Sequence, residues 1–173
     1  MQEGMLFHSL LQPESNVYLQ QTTLQIDGSL DLGAFRKTWQ RLVQRHDILR
    51  TAFVSQGADR PLQVVFKERL VVVQDEDLSS LAPPEQEHRL AAFREADRAQ
   101  PFRLAKDPLL RVCVFRLSAR RHAAVVSFHH ILMDGWCQLV LHDEILALYE
   151  SLRSGRAPNL PAAPAFRDYI QWL

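Results

Sequence analysis

Apolar residues fall into two kinds of pattern along this chain, and each kind predicts its own element. In residues 29–47, SLDLGAFRKTWQRLVQRHD, the apolar positions Leu32, Phe35, Trp39, Leu42 and Val43 stand three and four apart. That spacing gathers side chains on one face of a helix, whose start Ser29 or Asp31 can cap. Residues 136–155 carry Leu139, Ile145, Leu146, Tyr149 and Leu152 on the same period and close with Arg153 and Gly155, as helix C-termini do. Residues 83–100 open with two prolines, tolerated in a first helical turn, and continue in strong helix formers. A short opening helix over residues 1–11 ends at Pro13.

Strands are predicted where β-branched and apolar residues alternate or run together between turn signals. Residues 17–28 end on Asp27-Gly28, and residues 48–54, 61–66 and 70–74 are split by Gly57 and by the triplet Lys67-Glu68-Arg69. PLLRVCVFRL (108–117) and HAAVVSF (122–128), joined by SARR, predict neighbouring antiparallel strands, the second deeply buried. The order β-α-β-β-β-α-β-β-α predicts an α/β fold: a two-layer α/β sandwich with helices packed on a mixed, largely antiparallel sheet.

Two features suggest a piece of a longer protein. The chain opens at once on the apolar, helix-forming MQEGMLF, and it ends on Phe166, Tyr169, Ile170, Trp172 and Leu173, a helical pattern that stops before it closes. The proline-rich stretch 153–165 resembles a linker, so residues 1–155 are expected to form one lobe and residues 156–173 the linker and the first turns of an outgoing helix.

Composition narrows the function classes. With 173 residues, 47% of them apolar, the chain can bury a sizeable core, and 20 basic against 20 acidic residues leave no net charge to favour nucleic acid or an anionic membrane. No apolar run approaches the roughly 18 residues of a membrane span. Cys113 and Cys137 form no CxxC pair, and no secretory leader precedes them, which fits a soluble protein of the reducing cytoplasm.

The candidate chemistry lies in FHHILMDGW, residues 128–136. His129 and His130 are neighbours at a strand end and point to opposite faces, so they do not converge on one ion, and no metal is expected. Ser127 lacks the G-x-S-x-G elbow and Cys137 falls inside the next helix, which argues against a covalent nucleophile. There remains a histidine acting as general base or as hydrogen-bond partner of an incoming amine or hydroxyl. In this reading His130 faces a cavity and Gly135 leaves room for a tight turn or a close approach of substrate. Asp134 is then a buried architectural carboxylate that needs a cation, for which Arg45 and Arg50 of RHDILRTAF (45–53) are the candidates.

These residues resemble the condensation domains of non-ribosomal peptide synthetases, in the chloramphenicol-acetyltransferase-like superfamily. The HHxxxDG motif of that family is matched by His129, His130, Asp134 and Gly135; MQEGMLFHSLLQPES resembles its opening motif, RHDILRTAF its RHExLRTxF motif, with Asp47 in the usual glutamate place, and YIQWL the helix leading out of the first half. The resemblance covers the whole chain but only the amino-terminal lobe of the family's two-lobed domain. It implies amide formation between an upstream acyl or peptidyl thioester and the amine of a downstream aminoacyl thioester. Both arrive on the phosphopantetheine of peptidyl carrier proteins, and the chain itself binds no cofactor. It further implies His130 as the residue near the amine, a carboxy-terminal lobe and an adjacent adenylation domain as partners, and an isolated lobe that is inactive and self-associates through its uncovered face. The alternatives are an HHxxxDG acyltransferase with an alcohol acceptor and a non-catalytic module that docks carriers.

Overall fold

The computed structural model of the chain describes residues 2–12, 14–55, 60–166 and 168. Helix α1 (Gln2–Leu11) leads into strand β1 (Leu19–Asp27). The chain then turns at Gly28, whose φ of 106° is a conformation that glycine adopts without a Cβ clash. Helix α2 (Leu32–Arg45) is capped by Asp31, which accepts from the Ala34 N–H at 2.9 Å. There follow β2 (Thr51–Val54), β3 (Leu62–Val65), β4 (Val73–Asp77), α3 (Pro83–Arg98), β5 (Leu110–Ser118), β6 (Arg121–His129) and α4 (Gly135–Ser154).

Element types and their order match the periodicity. Four strands lie side by side as β1, β6, β5 and β4, with β6 antiparallel to both neighbours and β4 parallel to β5. The sheet is therefore mixed and largely antiparallel, as expected. Strands β2 and β3 form a separate antiparallel hairpin.

The period of two in β5 and β6 divides their side chains between two cores. Val112, Val114, Ala124, Val126 and Phe128 enter the larger core with Phe35, Trp39 and Leu42 of α2, Ile145 and Leu148 of α4, and Met5 and Leu6 of α1. Cys113, Phe115, Ala123 and Val125 enter a smaller one with Leu90 of α3. Both faces of β6 are thus covered, which accounts for its unbroken apolar run.

Two strands start three residues later than expected. Residues 47–50 form a 3-10 turn, not the start of a strand: Arg50 pairs with Asp47 three residues earlier, and the Thr51 hydroxyl donates to the Asp47 carbonyl at 2.8 Å. The strand expected over 70–74 begins only at Val73, because its ladder with β5 runs from Val73 opposite Val112 to Asp77 opposite Arg116. Leu70 and Val72 precede that ladder and are exposed. Gly57, Pro13 and the outgoing pattern at Tyr169, Ile170, Trp172 and Leu173 lie outside the described residues. Residues 156–165 have no regular structure but lie against the lobe, where Leu160 packs on the larger core and the Pro161 carbonyl accepts from Arg45.

Candidate active site

Strand β6 ends on His129 at the rim of the sheet, and the turn 130–133, which begins with His130, leads to α4. The last rungs of the sheet hold the strand end: the His129 N–H donates to the Leu109 carbonyl at 3.0 Å, and the His130 N–H to the Tyr18 carbonyl at 2.8 Å. Successive side chains of a strand point oppositely, so the two imidazoles meet different surroundings.

His129 is buried, 6% exposed, with its ring 5.7 Å from that of Tyr18 and 6.4 Å from that of Phe102. Its Nδ1 accepts from the Ile131 N–H at 3.1 Å, so that nitrogen carries a lone pair. The proton of the neutral ring then sits on Nε2, 3.4 Å from the Ser9 hydroxyl of α1. Burial, with the adjacent His130 adding to it, lowers the pKa of His129 to about 4. Both ring nitrogens of His129 are thus engaged within the protein, and burial favours its neutral ring.

The depressed pKa has a definite effect on stability. Between about pH 6.5 and 4 the unfolded chain protonates this histidine and the folded chain does not. The contribution is complete above about pH 6.5 and lost as pH falls towards 4, roughly 3 kcal/mol in all. Urea midpoints measured from pH 7 to 4 should fall more steeply in the wild type than in His129→Gln; parallel curves would exclude this contribution.

His130 is half-buried and oppositely arranged. Its Nδ1 lies 2.7 Å from the Met133 carbonyl, which can only accept. Nδ1 therefore bears the proton and, in the neutral ring, Nε2 bears the lone pair. Among the described residues Nε2 has no hydrogen-bond partner. The backbone thus fixes the neutral rings of the two neighbouring histidines in opposite tautomers, and five residues after His130 begins α4, whose first turns are exposed. There Trp136, Leu139 and Val140 are 79%, 60% and 55% exposed.

Asp134 corrects the expectation of a buried ion pair. It is exposed and caps α4, accepting from the Cys137 N–H at 3.0 Å; that hydrogen bond holds its carboxyl below the usual carboxylate range. A carboxylate at a helix N-terminus finds its donors in the backbone, so no arginine is required. Asp134→Ala should accordingly cost about 1 kcal/mol in chemical denaturation, the ordinary worth of an N-cap. A loss of several kcal/mol would speak for the ion pair instead. The turn does not demand glycine at Gly135 either: its φ is not positive and a Cβ there would meet nothing within 4 Å.

Arg45 and Arg50 do form ion pairs, with partners other than Asp134. Arg50 bonds Asp47 and the Phe66 carbonyl, tying the 3-10 turn to the β2–β3 hairpin. Arg45 grips Glu144 of α4 with two hydrogen bonds, Nε to Oε2 at 3.0 Å and Nη2 to Oε1 at 3.1 Å, and His46 Nε2 donates to the same carboxylate. Burial raises the pKa of Glu144, and the hydrogen bonds from Arg45 and His46 outweigh it, so the carboxyl stays below its ordinary range. Sequence reasoning missed Glu144, although its place one residue before the core position Ile145 was a signal that it lies at the edge of the buried face.

Comparison with known proteins places this geometry in a family. The family model described as "Condensation domain" matches residues 1–173. Over all 173 residues the chain is 42% identical to a segment of tyrocidine synthase 2 of Brevibacillus parabrevis and 38% identical to one of gramicidin S synthase 2 of Brevibacillus brevis. It spans 5% and 4% of those two proteins. Among solved structures, the first condensation domain of the calcium-dependent antibiotic synthetase superimposes with a TM-score of 0.88 at 25% identity, over 99% of this chain and 41% of that one. The starter condensation domain of rhizomide synthetase shares the fold, with a TM-score of 0.89 at 21% identity. Matched from end to end by the family model, with its two histidines set at the rim of a sheet of that fold, the chain belongs to the condensation-domain family.

Proposed function

We propose that the chain is the amino-terminal lobe of a condensation domain that forms peptide bonds in non-ribosomal synthesis. The observation that carries this reading is His130: its Nδ1 is tied to the Met133 carbonyl and its Nε2 is left unpartnered among the described residues, on a half-buried side chain at the end of β6. The amine of a downstream aminoacyl thioester attacks the carbonyl carbon of an upstream acyl or peptidyl thioester. The C–N bond forms, the C–S bond breaks, the upstream thiol leaves, and Nε2 of His130 orients the amine or accepts its proton.

Both substrates come on the phosphopantetheine arms of peptidyl carrier proteins, and the chain holds no cofactor of its own. A carboxy-terminal lobe closes the reaction tunnel and an adenylation domain supplies the acceptor carrier with its amino acid, all in the cytoplasm. Among the described residues no helix is long and apolar enough to cross a membrane. The apolar side chains Trp136, Leu139 and Val140 on α4, with Phe7 and Leu11 on α1, are where the second lobe would sit; in the lobe alone they favour self-association.

A product assay tests the reading. With loaded donor and acceptor carriers, the complete domain should make the amide, whereas the 173-residue chain should make none until the complementary lobe is added. An ester formed from an alcohol acceptor in place of the amide would move the chain to the alcohol-using acyltransferases. Carrier binding with neither product would make it a docking module.

A further inference from the structure

The side chains of Ile131, Leu132 and Met133 anchor the turn that orients His130 in the larger core, and among the described residues one side-chain hydrogen bond from outside reaches a backbone carbonyl of the turn. Within the turn, His130 Nδ1 donates to the Met133 carbonyl and the Leu132 N–H to the His129 carbonyl at 3.0 Å. The Ile131 carbonyl lies between these two bonds, on a residue only 2% exposed, and a buried carbonyl needs a donor. That donor is the side-chain amide of Gln2, at 2.9 Å and 129 residues away in sequence. Helix α1 can keep Gln2 there because Met5 and Leu6, one turn further on, are embedded in the larger core, and Ser9 of the same helix reaches His129 Nε2.

We propose that Gln2 is a positioning residue: by holding the Ile131 carbonyl it fixes the turn whose Met133 carbonyl sets the orientation and tautomer of His130. The inference rests on His130 as the working residue of the proposed condensation. Without the amide, the Ile131 carbonyl must turn to find another donor, and the Met133 carbonyl moves with it. Gln2 touches no reacting atom, so its loss acts on turnover and not on the binding of either carrier.

The test separates hydrogen bond from shape, in the intact synthetase that contains this segment. Gln2→Met keeps the shape and loses the donor, Gln2→Glu keeps the shape and sets an acceptor against the carbonyl, and Gln2→Lys keeps a donor in a different shape. Expected is a kcat lowered about tenfold in Gln2→Met, lower again in Gln2→Glu and largely recovered in Gln2→Lys. KM for both loaded carriers should stay unchanged, and the small fall in melting temperature that a stranded carbonyl brings should not scale with the loss of kcat. Adding Gln2→Met to His130→Ala should cause no further loss.

The opposite ranking, with Gln2→Met at the wild-type rate and Gln2→Lys impaired, would assign Gln2 to packing and overturn the inference. So would losses that track the melting temperature across all three variants. If His130→Ala abolishes condensation while every Gln2 variant runs at the wild-type rate, only this inference fails; if His130→Ala retains the wild-type rate, the reading of His130 fails first.

Discussion

Replacing His130 by alanine in the complete condensation domain, with both carriers loaded, should lower amide formation about a hundredfold or more while the fold is retained. The expectation follows from the turn. The Met133 carbonyl holds a proton on Nδ1, so the nitrogen left for chemistry is Nε2, which in the neutral ring carries the lone pair that a base or an acceptor of the amine's hydrogen bond requires. Alanine removes that nitrogen and nothing that the core needs, because the side chain is only half-buried and makes one hydrogen bond among the described residues. Single-turnover rates, read beside a melting curve, decide it. An unchanged rate in a folded variant would remove His130 from the reaction and leave positioning of the two tethered substrates as the source of the acceleration.

Glu144→Ala should cost about 3 to 5 kcal/mol in urea denaturation. The carboxylate is 9% exposed and the Arg45 side chain 19%, so removing Glu144 leaves a largely buried guanidinium with the Pro161 carbonyl as its remaining partner among the described residues. His46 loses its acceptor in the same step. These bonds join the C-terminal turn of α2 to the middle of α4 and to residues 156–165, so the loss is tertiary and not local. The folded carboxyl lies below its ordinary pKa; its contribution is therefore full above the unfolded-state pKa and is lost as pH falls through the folded one. A double-mutant cycle between Arg45 and Glu144 should show strong coupling, and one between Arg45 and Asp134 none. The reverse outcome would restore Asp134 as the arginine's partner.

How much of this is legible in the sequence differs from feature to feature. Helices α2 and α4 are, because Phe35, Trp39 and Leu42, and Ile145 and Tyr149, recur at the period that a buried helical face imposes. The pairing of β5 with β6 is, because two apolar runs with a short connection between them have few other ways to satisfy their backbones. A strand start at residue 70 misleads because apolarity marks what can be buried, whereas the ladder with β5 decides what is. The motif positions of the site are plain as well, but a buried ion pair is the wrong reason for Asp134. A carboxylate before a helix satisfies itself locally, and the sequence carries that capping signal as plainly as the one at Asp31.

Apart from the 3-10 turn at 47–50 and the late start of β4, the sequence by itself determined the elements, their order and the family motif, since each is written in residues a few positions apart and obeys the local periods of helix and strand. Only the tertiary structure decided the partners. Arg45 meets Glu144 across 99 residues, and Gln2 meets the Ile131 carbonyl across 129. Which tautomer each histidine adopts follows from whether a buried N–H or a carbonyl happens to face it. Hydrogen bonds and ion pairs act over a few ångströms in space and are indifferent to separation along the chain, so no pattern of neighbouring residues can encode them before the chain has folded.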